Sequence, residues 1–111
     1  MDLENKHSMR SVLYILLSKI PYGHLATYGQ LAQMAGYPGA ARAVGRILKQ
    51  LPNDTQLPWH RVVAANGRLS LPSNSRAGDE QRHRLRSEGI FVDQDRVKLA
   101  NYQWQPGAAN E

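Results

Sequence analysis

With 111 residues, the chain is long enough for one compact domain and too short for two of ordinary size. Its 14 Lys and Arg residues outnumber its 9 Asp and Glu residues, and the resulting formal net charge of +5 favours a polyanionic partner such as nucleic acid. The sequence contains no cysteine, which excludes disulfides, thiolate metal sites and cysteine nucleophiles.

The first predicted helix is amphipathic. Its apolar side chains recur at helical spacing and therefore share one face: Met9, Val12, Leu13, Leu16, Leu17 and Ile20. Pro21 then biases the preceding residue away from helical geometry. The pattern predicts a helix over residues 8–19 that packs on the core.

A second, shorter helix is indicated by a capping signal. Thr27 and Gln30 have the spacing of a capping box, in which each side chain bonds the backbone of the other. We expect this helix to cover residues 28–35 and to end at Gly36.

The third helix, predicted over residues 40–50, has an apolar face and a basic face. At about 100° per residue, the basic side chains fall in one narrow stripe opposite the apolar ones: Arg42, Arg46 and Lys49. A short helix, a turn containing Gly39 and a basic helix together form the pattern of a helix-turn-helix.

The second half of the chain alternates short elements with turns. Valine-rich residues 59–65 predict a strand, and Asn66-Gly67 predicts a turn after it. The other expected elements are a polar loop over 71–78, a charged helix over 79–88 ended by Gly89, a hairpin or wing from 90–92 and 96–99, and an irregular tail over 105–111. Residues 1–104 are therefore expected to form the single domain.

Four separated motifs carry a family resemblance. In chain order they are Ile20-Pro21-Tyr22-Gly23, Thr27-Tyr28-Gly29-Gln30-Leu31-Ala32, Ala41-Arg42-Ala43-Val44-Gly45 and Pro58-Trp59-His60-Arg61-Val62-Val63. This ordered set resembles the DNA-binding domain of O6-alkylguanine-DNA alkyltransferases, and the resemblance covers residues 8–89. It implies a mainly α winged helix-turn-helix domain with a small β element.

One position departs from the transferase pattern. The transferases have Pro-Cys-His-Arg, in which the cysteine takes the alkyl group, whereas this sequence has Trp59 there. With tryptophan at this position, the chain resembles the alkyltransferase-like proteins. The chemistry agrees, because dealkylation by this route needs an activated thiolate and an indole nitrogen is a hydrogen-bond donor only. The resemblance therefore implies a protein that binds O6-alkylguanine and does not act as an enzyme.

The resemblance assigns three residues to base flipping and lesion binding. Arg42 would fill the gap left by a flipped base, although an exposed helix arginine could also contact only phosphate. Tyr28 would push the neighbouring phosphate, although it could instead be an aromatic cap on the core. Trp59 would line the lesion pocket, although most tryptophans belong to a core.

Other assignments follow from the same motifs. The backbone carbonyls of Trp59 and Val62 would accept hydrogen bonds from the guanine amino group. Ser73 falls near the loop residue whose amide faces the guanine oxygen, and residues 70–75 would set the alkyl-group preference. Arg46 and Lys49 are expected to contact phosphates, which adds affinity without sequence readout.

The transferase residues that activate the cysteine have matches here. His60 and Glu88 correspond to them, and without a thiol we expect a buried, hydrogen-bonded pair that supports the pocket floor. Arg61 is expected to support the fold through a salt bridge. The asparagine of the family network has no clear match, although Asn53 lies nearby in the chain. The other histidines lack ligand spacing, so we expect no metal, and no cofactor is implied.

The resemblance also implies a cellular role. The third helix would enter the minor groove of duplex DNA, where Ala41, Ala43 and Gly45 allow a close approach. The bound lesion would then be handed to nucleotide excision repair proteins by a monomer. Residues 1–10 are charged and residues 12–17 are too short an apolar stretch to span a bilayer, so we expect a cytoplasmic protein, associated with the nucleoid when DNA-bound.

Two other functions are compatible with parts of the pattern. A transcription regulator could use the helix-turn-helix for sequence readout, but it would need base-edge readers on the third helix, and a dimer. A hydrolase or glycosylase could use His60 and Glu88, but the sequence supplies neither a nucleophile nor a metal site for it.

Overall fold

The computed structural model describes residues 8–107, and these fold as four α-helices around a minimal β-sheet. The helices are α1 (Met9–Lys19), α2 (Tyr28–Met34), α3 (Ala41–Lys49) and α4 (Arg76–Ser87). The strands are β1 (Ala26–Thr27) and β2 (Val62–Val63), and two 3-10 turns cover Trp59–Arg61 and Leu99–Asn101. None of the helices described has the length and apolar character needed to cross a membrane.

The helix-turn-helix is formed by α2 and α3, which pack against each other. Its start is fixed by the capping box predicted from the sequence. The Gln30 backbone N–H donates to Thr27 Oγ1 at 2.9 Å, and the Thr27 N–H donates to Gln30 Oε1 at 3.4 Å. The first two predicted helices are confirmed to within a residue at each end, and so is the third.

Two hydrophobic cores meet at the sheet. The strands pair in parallel, with Ala26 opposite Val62 and Thr27 opposite Val63. Neighbouring strand residues point to opposite faces, so Ala26 and Val62 join the core under α1–α3, whereas Val63 joins the core beside α4. We call these the helical core and the C-terminal core.

The strand predicted over residues 59–65 is wrong for most of its length. Trp59–Arg61 form a 3-10 turn, and only Val62–Val63 pair as a strand. The turn has a physical reason, because His60 and Arg61 both contact Glu88. Consecutive residues of a strand point to opposite faces and could not share that partner.

The predicted loop over residues 71–78 is too long, and the charged helix starts earlier than predicted. The α4 helix begins at Arg76 because Ser75 Oγ accepts a hydrogen bond from the Gly78 N–H at 2.9 Å and caps it. Gly78 is required by packing, since a Cβ at this position would lie 2.4 Å from the Pro72 carbonyl oxygen. The glycine therefore lets the 70–75 loop pack directly on α4.

The predicted hairpin is reduced to a tight turn. Asp93 and Arg96 form an isolated antiparallel bridge, and Gln94 and Asp95 between them have φ of 51° and 61°. On either side, Val92 and Val97 are buried in the C-terminal core. In the predicted tail, residues 105–107 are exposed, and residues 108–111 lie outside the described part of the chain.

Candidate nucleic-acid interface

The exposed face of α3 is basic, as the sequence predicted. Arg42, Arg46 and Lys49 are exposed, whereas Val44 is completely buried in the helical core. Among residues 8–107, none of the ion pairs involves these three cations. They therefore present charge to solvent, in the arrangement that phosphate contacts require.

A cavity of about 720 Å³ opens beside this basic stripe. Its walls come from α2, α3, the loop after α3, the first 3-10 turn, the segment between β2 and α4, and α4 itself. Five residues predicted to contact DNA or the lesion line it: Tyr28, Arg42, Arg46, Lys49 and Trp59. Much of the remaining wall is apolar, from residues that include Leu48, Leu51, Pro52, Leu71 and Ala77. The cavity wall thus combines three cations, two aromatic rings and apolar side chains.

Tyr28 lines the cavity and also contacts the loop before α4. Its hydroxyl lies 2.8 Å from Ser70 Oγ, which links the first turn of α2 to the loop on the opposite side. Gly45 of α3 lies beside the same ring, and a Cβ there would be 3.9 Å from the nearest ring carbons. Tyr28 is only partly buried, so one part of the ring packs on the helical core and another faces the cavity.

Two predicted pocket residues are not part of the wall. Val62 is buried behind it, and its carbonyl accepts a hydrogen bond from Gln81 Nε2 at 3.2 Å. Ser73 is exposed, and its carbonyl accepts a hydrogen bond from Arg82 Nη2 at 2.7 Å. Ser70 and Leu71 occupy the wall in its place. Ser73 is not among the lining residues, and its place beside the guanine oxygen stays a prediction.

The Glu88 carboxylate joins three segments of the chain. His60 Nε2 lies 2.7 Å from Glu88 Oε2, and Arg61 donates from Nε and Nη2 to the same carboxylate, at 2.7 Å for the latter. The Gly23 backbone N–H donates to Glu88 Oε1 at 2.8 Å, and Arg61 Nη1 donates to the Ile20 carbonyl oxygen at 2.8 Å. The predicted His60–Glu88 pair and the Arg61 salt bridge are both present.

This network determines the charge state of its members. Burial alone would raise the pKa of Glu88, but hydrogen bonds from Arg61, His60 and the Gly23 N–H outweigh it and lower the pKa to about 2. Burial lowers the pKa of His60, against the opposing effect of Glu88. A neutral His60 donates from Nε2 and leaves Nδ1 as an acceptor, and Nδ1 has no partner within residues 8–107.

Two functional residues of α4 were not predicted from the sequence. Gln81 lines the cavity, and its Nε2 donates to the carbonyls of His60 and Val62, both at 3.2 Å. Arg84 lies over the Trp59 ring, with Cζ 5.7 Å from the centroid. The sequence could have predicted both residues, because the helical period places Gln81 and Arg84 on the same face as Glu88. Asn53 also lines the cavity.

No group of three His, Asp or Glu residues suited to a metal occurs in the described structure.

Comparison with known proteins identifies the family. Residues 8–90 match the model described as 6-O-methylguanine DNA methyltransferase, DNA binding domain. The chain belongs to this family. The predicted family resemblance and the predicted fold class are therefore confirmed.

Two similar relatives are named for base flipping and for likeness to alkyltransferases. The chain is 43% identical over 95 residues to a DNA base-flipping protein of Vibrio parahaemolyticus, covering 85% of this chain and 93% of that protein. It is 36% identical over 99 residues to Alkyltransferase-like protein 1 of Schizosaccharomyces pombe, covering 85% and 92%. A crystal structure of S. pombe Atl1 in complex with damaged DNA containing O6-carboxymethylguanine superposes with a TM-score of 0.82 at 34% identity, covering 96% and 98%.

Proposed function

We propose that this protein recognises O6-alkylguanine in duplex DNA and binds it without transferring the alkyl group. The observation that carries the proposal is the position of Trp59, on the wall of a 720 Å³ cavity beside a basic helix, in a chain without cysteine. The relatives named for base flipping and for alkyltransferase likeness, and the similar protein crystallised with damaged DNA, support it.

Binding begins on the basic stripe of α3. Arg46 and Lys49 contact phosphates, while the small residues Ala41 and Gly45 let the helix approach the floor of the minor groove. A base cannot enter a protein pocket without leaving the stack, at a cost of a few kcal/mol. Tyr28 displaces the neighbouring phosphate and Arg42 fills the gap in the stack, which offsets part of this cost.

The extruded guanine enters the cavity and stacks on Trp59. The apolar wall accepts the alkyl group, which is the part of the lesion that undamaged guanine lacks. The reaction stops at binding, because an indole cannot replace a thiolate as the alkyl acceptor. His60 and Glu88 then serve the structure, since they join the pocket floor to α4 and do not activate a nucleophile.

The bound complex ends by dissociation or by transfer to other proteins. We propose that a monomer holds the lesion until nucleotide excision repair proteins take it over, in the cytoplasm and on the nucleoid. A pull-down with lesion-bound protein tests the handover, and lack of enrichment of excision-repair proteins over the protein bound to undamaged duplex would contradict it.

The proposal is tested with two duplexes of one sequence, one with guanine and one with O6-methylguanine, at one fixed salt concentration. We expect tighter binding to the lesion, with the methyl group intact when the duplex is digested after long incubation. Trp59→Ala should reduce the preference for the lesion, and Arg42→Ala should weaken lesion binding with a smaller effect on undamaged DNA. Equal binding of both duplexes would refute damage recognition, and one strongly preferred undamaged sequence would indicate a transcription regulator. Loss of the methyl group would refute the non-enzymatic mechanism.

A further inference from the structure

The Trp59 indole has different neighbours on its two sides. It lines the cavity, whereas the Arg84 guanidinium lies over the ring with Cζ 5.7 Å from the centroid. This distance is within the range at which a cation is attracted to an aromatic face. Arg84 is not among the residues that line the cavity, although its guanidinium lies over the ring of a residue that does.

The guanidinium of Arg84 is itself held in place. Its Nε donates to Glu80 Oε2 at 2.6 Å, one turn earlier on α4. That hydrogen bond lowers the pKa of Glu80 and keeps the carboxylate ionised. An exposed pair of this kind adds little stability, but it restricts the rotamers that a long arginine side chain can adopt.

We propose that Arg84 is a positioning residue for lesion recognition, which fixes the plane of Trp59 by stacking on it. The proposal rests on the proposed function. Trp59 is only partly buried, so packing alone does not fix the indole plane, and a stacking surface discriminates only when its orientation is held. With Arg84 on one side, the indole presents its other side to an incoming purine. Arg84 thus affects the binding of the lesion through Trp59, without contacting DNA itself.

The inference is tested with three variants of the full chain. Arg84→Gln removes the cation, Arg84→Lys keeps it, and Arg86→Gln is the matched control because it removes the same charge from the same helix away from Trp59. For Arg84→Gln we expect the preference for O6-methylguanine duplex over guanine duplex to fall about three- to ten-fold. Arg84→Lys should retain most of the preference. Arg86→Gln should lower binding of both duplexes by the same factor.

A fluorescence measurement on the free protein separates positioning from simple charge loss. The chain has two tryptophans, so Trp104→Phe leaves Trp59 as the single indole. In this background, acrylamide quenching should increase with Arg84→Gln and stay unchanged with Arg86→Gln. The duplex titrations are made without Trp104→Phe, so any effect of that substitution on folding does not enter them.

The outcomes are distinguishable. An unchanged preference in Arg84→Gln, or a loss shared equally by both duplexes, would overturn the positioning role, and so would unchanged quenching. If the unsubstituted protein does not distinguish the duplexes, the proposed function fails. Increased quenching in Arg84→Gln would then still support the stacking contact.

Discussion

Replacing Glu88 with glutamine should destabilise the protein in a pH-dependent way. The side chain of Glu88 is 6% exposed and accepts hydrogen bonds from His60, Arg61 and Gly23. Its pKa falls from an ordinary 4.5 to about 2. Each pKa unit corresponds to about 1.4 kcal/mol, so the ionised carboxylate contributes at most about 3–4 kcal/mol to the free energy of unfolding. Allowing for solvent screening, we expect Glu88→Gln to cost about 2 kcal/mol at pH 7.

The sign of the pH dependence follows from the lowered pKa. The contribution of Glu88 is complete above pH 4.5 and is lost as the pH falls through 4.5 towards 2, because the unfolded chain binds the proton first. More than half of the difference between the unsubstituted protein and Glu88→Gln should be gone by about pH 3. Urea unfolding followed by circular dichroism at several pH values measures it.

Glu80→Gln is the control for this experiment, because Glu80 pairs with Arg84 on the surface with 46% of its side chain exposed. We expect little change in stability from it at any pH. A Glu88→Gln deficit that stays constant from pH 7 to pH 3 would refute the reasoning, because the lost stability would then not depend on the ionisation of the carboxylate.

Three further predictions concern the cavity and the basic stripe. Gly45→Ala should stabilise the free protein by about 0.5–1 kcal/mol through helix propensity, because the added methyl makes only ordinary contact with Tyr28. The same methyl should weaken duplex binding. Thermal unfolding measures the gain in stability, and titration with duplex measures the loss of affinity. Ser70→Ala and Tyr28→Phe should each cost about 0.5–1 kcal/mol, and the double substitution should cost less than their sum, as measured in a double-mutant cycle. Arg46→Ala and Lys49→Ala should each reduce the slope of log affinity against log salt by about one, equally for damaged and undamaged duplex.

The sequence correctly predicted the features that depend on residues close together in the chain. The Thr27–Gln30 capping box and the alternation of basic and apolar residues on α3 depend on residues within a few positions of each other, and both are present in the structure. The His60–Glu88 pair spans 28 residues, and it was predictable only because the family resemblance linked the two positions.

The parts that the sequence did not predict depend on contacts between distant segments. The close packing of the Pro72 carbonyl on Gly78 brings the 70–75 loop against α4, and no local pattern specifies it. The 3-10 turn at Trp59–Arg61 replaces a strand because two consecutive side chains share one carboxylate on another element. Valine content alone favoured a strand there, and tertiary hydrogen bonds overrode it.

The width of the cavity mouth depends on how the two cores are packed. One side of the cavity, including Tyr28 and Arg42, belongs to elements packed on the helical core, and the other, including Leu71 and Ala77, belongs to segments beside the C-terminal core. The paired strands and the Glu88 carboxylate couple the two halves. A small rotation of one half against the other would therefore change the width of the mouth. Repacking Leu25 or Val63, neither of which lines the cavity, would therefore alter the width of the mouth while every lining side chain stays the same.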